Sequence, residues 1–221
     1  MKSLLIDTST NNIGIGIFDG KKCLHESYTE GEKRYNSAIM GLIDEALKAS
    51  GITIAEIDVF GSTLGPGSFT GIRVGMAAAK GFADGCGAKF FGASTLDVLA
   101  YSDDDVNTKK VSLLDARRNE VYMGIYKKES AEYELTAKEN IAKAVKGACN
   151  IYILKRDIKL LEGIAENNRG KTVILNHINL QSFNNILMDN KKHATRQAVY
   201  SAAPLYIRQS DAEICRKKAV I

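Results

Sequence analysis

One short pattern occurs twice, half a chain apart, and it constrains the fold more than any other feature. Leu5-Ile6-Asp7 is followed nine residues after the Asp by Gly16-Ile17-Phe18, and Leu113-Leu114-Asp115 is followed nine residues after its Asp by Gly124-Ile125-Tyr126. The copies lie 108 residues apart in a chain of 221. A buried strand, an acidic residue at its exit, a polar turn and a returning strand cannot bury a core alone. Repetition at this spacing therefore predicts two units of one architecture.

The elements between the copies fit that reading. Leu4 to Ser9 reads as a buried strand, Ile13 to Phe18 as the return arm of a hairpin ending at Asp19-Gly20, and Cys23 to Tyr28 as a third strand. Ile39, Leu42, Ile43, Ala46 and Leu47 keep the spacing of a half-buried helix that ends near Gly51. Asp58 to Leu64 and Lys89 to Ala93 are further strands. A helix runs from Ile72 to Phe82, with Lys80 and Asp84 spaced for an ion pair, and a short one from Thr95 to Tyr101. The acidic stretch from Ser102 to Asn107 has the composition of an exposed linker and divides the chain into 1–102 and 108–221. Beyond the second copy, strands are predicted at Asn150 to Leu154 and Lys171 to Asn176, and helices at Ile158 to Asn167 and Leu180 to Asp189.

Composition narrows the function classes. With 30 Lys plus Arg against 26 Asp plus Glu, the long-range field is weak, no dedicated nucleic-acid surface is implied, and RNA could be handled only locally. The start lacks the apolar region of a signal peptide and no apolar run approaches a membrane span, so a soluble, cytoplasmic protein without membrane association is expected. Cys23, Cys86, Cys149 and Cys215 match no zinc or dithiol spacing and are expected to be reduced. His25, His177 and His193 form no metal motif and there is no G-x-S-x-G elbow, so neither a metal site nor a serine hydrolase is expected.

Two loops carry the remaining chemistry. Asp7-Thr8-Ser9-Thr10, like Asp115-Ala116-Arg117-Arg118, could hold a phosphate through turn N–H groups and a metal-bound water, or the Asp could cap its own turn. Neither turn has the glycine that close phosphate approach requires. Gly65-Pro66-Gly67-Ser68-Phe69-Thr70-Gly71 is a tight loop before a helix. Its N–H groups either receive an anion or are capped by Ser68 or Thr70, and without a following Lys-Ser or Lys-Thr it is not a Walker A loop. Arg117, Arg118, Arg208, Arg216, Lys217 and Lys218 read as a solvated basic surface. The helix after the loop, with Gly75, Ala77, Ala78, Ala79 and Gly81, is buried on more than one side. Its second cover is another helix, of the same or a second chain.

Four segments together resemble the TsaB family, also called YeaZ: Ile6-Asp7-Thr8-Ser9-Thr10; Gly65 to Gly75; Asp115-Ala116-Arg117 with Glu120-Val121-Tyr122; and Pro204-Leu205-Tyr206-Ile207-Arg208. The likeness covers residues 1 to 126 well, is loose from 127 to 198, and returns at the C-terminus. It implies an α/β fold of two actin-like (ASKHA, sugar kinase/Hsp70-like) subdomains related by internal duplication. It also implies a non-catalytic paralogue of TsaD, without a cofactor, in the formation of threonylcarbamoyladenosine beside the anticodon of tRNAs reading ANN codons. By the same resemblance the chain binds TsaD through its first two helices, using Tyr35, Ile39, Met40, Val74, Ala77, Ala78 and Gly81. TsaE joins the larger complex, a homodimer is possible in the absence of TsaD, and tRNA is met indirectly. Asp7, Thr8, Ser9, Gly65, Gly67, Ser68, Thr70 and Asp115 would then be vestiges of nucleotide loops. Family members often carry His-Ser where this chain has Tyr35-Asn36-Ser37. The alternative reading is an actin-like enzyme acting alone, a nucleotide hydrolase or a peptidase.

Overall fold

The computed structural model describes residues 1–30, 35–105, 107–127, 130–164 and 168–208, with the backbone alone at 35–37. β1 (Lys2–Asp7), β2 (Asn12–Asp19) and β3 (Lys22–Glu30) form an antiparallel meander, turned between β2 and β3 by Gly20 at φ 58°. α1 (Tyr35–Ser50) and α2 (Phe69–Gly85) carry the chain to β4 (Val59–Thr63) and β5 (Lys89–Ala93), which add in parallel on the other side of β1. The order is β3-β2-β1-β4-β5.

After α3 (Thr95–Ala100), the second half repeats this plan. β6 (Lys109–Arg117), β7 (Glu120–Lys127) and β8 (Ser130–Ala137) are antiparallel neighbours. After α4 (Ile141–Ala144), β9 (Cys149–Leu154) and β10 (Thr172–Leu175) add to β6 in parallel. Strand order and directions match between the sheets, one sheet per copy of the repeat, so the chain is a duplicated actin-like α/β fold.

The helices bury what periodicity says they should. Ile39, Ile43 and Ala46 of α1 and Ala78, Ala79 and Ala83 of α2 lie against Leu4, Ile6, Ile15 and Ile17 of the first sheet. α1 closes at Gly51, φ 68°, whose N–H donates to the Lys48 carbonyl while Ile52 donates to that of Leu47.

Between the sheets the halves exchange helices. α3 packs on β6, β7 and β9 of the second sheet, while α5 (Leu180–Asp189) packs on β1, β2 and β5 of the first. Leu5, Phe18, Leu96, Leu99, Leu114, Tyr152, Leu180 and Phe183 accordingly form one apolar cluster drawn from both halves. Fully burying a side chain such as Phe183 contributes about 1.5–3 kcal/mol. Polar contacts hold both helices. Asn184 accepts from Ser3 and donates to the Gly20 carbonyl, the Tyr28 hydroxyl accepts from the Leu180 N–H, and Asp97 of α3 accepts from the Tyr126 and Tyr133 hydroxyls.

Several expectations are corrected. Among the described residues, those after β10 do not add to the second sheet: α5 and the chain through Leu205 lie on the first half, before Arg208 reaches back to the second. On the first half Thr195 bridges Phe90, Val199 of α6 (Ala198–Ser201) enters the α1–α2 core, and Leu205 N–H donates to the Leu64 carbonyl. The acidic stretch is tied down rather than solvated, since Asp103 receives Lys110, Lys171 and the Tyr152 hydroxyl, and Asp105 receives Asn107, Thr108 and Asn150. Instead of a helix over 158–167 there is a 3-10 helix at Lys155–Leu161, and 165–167 lie outside the described residues. Lys80 and Asp84 do not pair, because Lys80 donates to the Ala202 carbonyl and Asp84 accepts from Tyr200. Cys23, Cys86 and Cys149 are free thiols; Cys215, Arg216, Lys217 and Lys218 lie outside the described residues. Among the described residues no helix is long and apolar enough to cross a membrane.

Candidate functional site

The loop after β4 closes over the turn after β1. Ser68 N–H donates to the Ser9 carbonyl at 2.7 Å, and Thr8 Oγ1 donates to the Gly71 carbonyl at 2.7 Å. The glycines serve this self-contact. A Cβ on Gly67, whose φ is 153°, would stand 2.0 Å from the Ser9 oxygen, and one on Gly71 would stand 1.9 Å from that of Thr8. Ser68 caps α2, its Oγ accepting from the Gly71 N–H at 3.2 Å, while Thr70 is exposed. Gly65 lies on Ile72, and its carbonyl accepts from Thr95 N–H at the start of α3.

Asp7 lies beneath this contact and is 1% exposed. Its Oδ1 accepts from Ser9 N–H at 3.1 Å, Ser9 Oγ at 2.6 Å and Thr63 Oγ1 at 2.7 Å. Burial pushes the Asp7 carboxyl above the usual carboxylate range, and the hydrogen bonds from Ser9 and Thr63 oppose that rise. Asp7 thus caps its own turn, in a place closed to solvent.

The second copy differs by one residue of register. Gly16 faces Leu5 across the first hairpin, whereas Gly124 faces Ser112 across the second. The shift comes from a tight β6–β7 turn in which Arg117, Arg118 and Asn119 all hold positive φ, 62°, 54° and 62°. Such backbone is strained for residues with side chains. Here it is supported by Asp115 Oδ1, which accepts from Arg117 N–H at 2.8 Å, and by Lys138 N–H, which donates to the Asn119 carbonyl. Asp115 is exposed, unlike Asp7.

The two turns face each other across a cavity of 290 Å³, with Ser9, Thr10 and Ser68 on one side and Asp115, Arg117 and Arg156 on the other. Arg208 closes one end, donating to the Ala116 carbonyl at 2.8 Å and pairing with Glu120. Two of the segments that carry the family likeness meet in that pair. Burial raises the Asp157 carboxyl, opposed by Arg156 at 3.3 Å.

A second surface lies on the outer side of α1 and α2. Met40 is 53% exposed, Ala77 and Gly81 are exposed, and nothing lies within 4 Å of a Cβ placed on Gly81. Beside it runs a 550 Å³ groove whose walls include Met40, Leu47, Ile52, Ile54 and Phe82. Ile39 and Ala78 do not share this face. At 2% and 7% exposed they belong to the core under the helices, because positions next to Met40 and Ala77 are turned about 100° away. Val74 is half-buried at the edge, and the Tyr35 side chain lies outside the described residues. Sequence reasoning missed three groupings that only the fold assembles: Arg208 with Glu120, Asp97 with Tyr126 and Tyr133, and Arg73 with Phe69 and Tyr206.

The family described as TsaD, tRNA N6-adenosine threonylcarbamoyltransferase, matches residues 29–152, more than half of the chain. The chain is 32% identical over 132 residues to the tRNA threonylcarbamoyladenosine biosynthesis protein TsaB of Escherichia coli, covering 58% of this chain and 56% of that one. It is 29% identical over 126 residues to the protein of the same name from Bacillus subtilis, covering 57% and 55%. The chain thus spans about half the length of the curated relatives it matches. Among solved structures, a Pseudomonas aeruginosa protein described as similar to the peptidase YEAZ superposes with a TM-score of 0.75 at 18% identity, over 94% of this chain and 99% of that one. YeaZ from Pseudomonas aeruginosa gives 0.71 at 16% identity, over 93% and 99%.

Proposed function

The chain belongs to the family described as TsaD, tRNA N6-adenosine threonylcarbamoyltransferase, and we propose that it stands on the TsaB (YeaZ) branch as a non-catalytic subunit of the cytoplasmic machinery that forms threonylcarbamoyladenosine in tRNA. It binds TsaD through the outer face of α1 and α2, with Met40, Ala77 and Gly81 at the contact and Val74 at its edge. Small residues let helix backbones approach closely, so a helix pair of the partner completes a four-helix packing there. The same face closes a homodimer when TsaD is absent, and TsaE joins the larger complex.

The observation that carries the non-catalytic reading is the closure of the first turn. The Thr8 hydroxyl donates to the Gly71 carbonyl, the Ser9 carbonyl accepts from the Ser68 N–H, and the Ser9 N–H and hydroxyl both donate to Asp7. A phosphate at that turn would need N–H donors, and those of Ser9 and Ser68 are already given to Asp7 and to the Ser9 carbonyl. Asp7, Thr8, Ser9, Gly65, Gly67, Ser68 and Thr70 act as structural remnants of a nucleotide site, with Asp115 their exposed counterpart in the second half.

The test is reconstitution of threonylcarbamoyl transfer onto tRNA with TsaD and TsaE, with and without this chain, together with ATP turnover by the chain alone. The expected result is transfer that depends on the chain and no turnover in isolation. Phosphate release by the isolated chain that disappears in Asp7→Ala would establish the enzyme reading instead.

A further inference from the structure

Arg73, on α2, lies over the ring of Phe69, which lines the cleft, and beside that of Tyr206. Its guanidinium lies 3.8 Å from the centre of the Phe69 ring and 5.8 Å from that of Tyr206, and its Nε donates to the Tyr206 hydroxyl at 2.9 Å. The two rings stack at 5.1 Å, yet Phe69 remains 38% and Tyr206 43% exposed. Neither ring is core. Phe69 also lines the cavity between the two turns, and Tyr206 stands two residues before Arg208. An exposed, rigid π-surface therefore adjoins a small polar cavity that presents Arg156 and Arg208.

Each guanidinium carries five N–H groups. The bonds of Arg156 to Asp157, and of Arg208 to Ala116 and Glu120, orient these groups without consuming all of them. The 290 Å³ cavity has room for a phosphodiester, and the exposed Phe69 ring on its wall offers a surface on which an attached base can stack. An aromatic surface beside a cationic cavity suits one nucleotide within a strand, its base on the ring and its phosphate at the guanidinium groups.

We propose that this platform binds single-stranded RNA directly, one base stacking on the exposed Phe69–Tyr206 pair and its phosphate entering the cleft toward Arg156 and Arg208. RNA as the source of that nucleotide rests on the tRNA-modification reading; the stacking and phosphate contacts rest on the geometry. Binding is local and modest, in keeping with a chain whose net charge is only +4.

The experiment is fluorescence anisotropy of a labelled 12-nucleotide single-stranded RNA with the isolated full chain at low salt, no partner present, so that a failure of the TsaD contact leaves it unaffected. Wild-type protein should bind. Phe69→Ala/Tyr206→Ala should weaken binding about tenfold or more, the loss of one base stack. Arg156→Ala should lower the salt slope by about 0.7, one phosphate contact on a single strand. Thermal melts establish that each variant is folded, and Phe69→Trp, which keeps the stacking surface, should bind as wild type should a weakened variant prove unstable. No RNA binding by the wild type, equal binding by the double alanine variant, or displacement of the RNA by equimolar AMP would each overturn the proposal, the last by showing a mononucleotide pocket.

Discussion

At the scale of single residues, glycines of similar appearance in the sequence have opposite roles. Gly71 has no room for a Cβ, whereas Gly81 faces open space. Gly71→Ala should lower the unfolding free energy by about 1–3 kcal/mol, the range of overpacking in a rigid contact, and Gly81→Ala should raise it by about 0.5–1 kcal/mol through helix propensity. Urea titrations of the two variants check both signs. Asp7 makes a pH prediction. Its folded pKa lies above the unfolded value, so stability from the protonated form is present at acid pH and lost as pH rises from about 3.9 through the folded value. Asp7→Asn keeps an acceptor for Ser9 and Thr63 without that titration, and its stability relative to wild type should climb across that interval. A difference that stays flat from pH 4 to 8 would contradict the burial assigned to Asp7. The repeat and both turns were legible from residues 5–18 and 113–126. The register shift of the second turn was not, because it depends on three positive φ angles that Arg117, Arg118 and Asn119 do not announce.

Among the elements, α3 and α5 matter most, since each covers the sheet of the other half. Phe183 is fully buried between the sheets, and Phe183→Ala should cost about 3–5 kcal/mol. Asp97→Ala should cost about 1–3 kcal/mol by leaving the Tyr126 and Tyr133 hydroxyls without their acceptor. Because the shared cluster joins the halves, circular dichroism in urea should show one transition for wild type and for both variants; two separated transitions would mean the halves fold independently. In the first half β1 was legible as a continuous apolar run and α1 by its half-buried helical period. β8 was missed because Ser130 to Glu134 are exposed and give no alternation. α5 was legible as a helix, but its place on the first sheet was not: an apolar face states that something must cover it, not which sheet does.

For the whole molecule, the proposed role is to present the outer face of α1 and α2 to TsaD, without chemistry of its own. The small residues of α2 were readable in the sequence, but which of them point outward was settled only by the packing, which sends Ala78 inward and Ala77 outward. Ala78→Arg would bury an unpaired charge and should unfold the first half, so it cannot test the surface. Ala77→Arg places the same charge on the outer face and should leave the melting temperature unchanged. The decisive measurement is light scattering on a size-exclusion column of this chain mixed with TsaD from the same organism, for wild type and Ala77→Arg. Wild type should give a one-to-one complex, formed at the expense of any homodimer, and Ala77→Arg none. No complex with the wild-type chain, or an undiminished one with Ala77→Arg, would contradict that role.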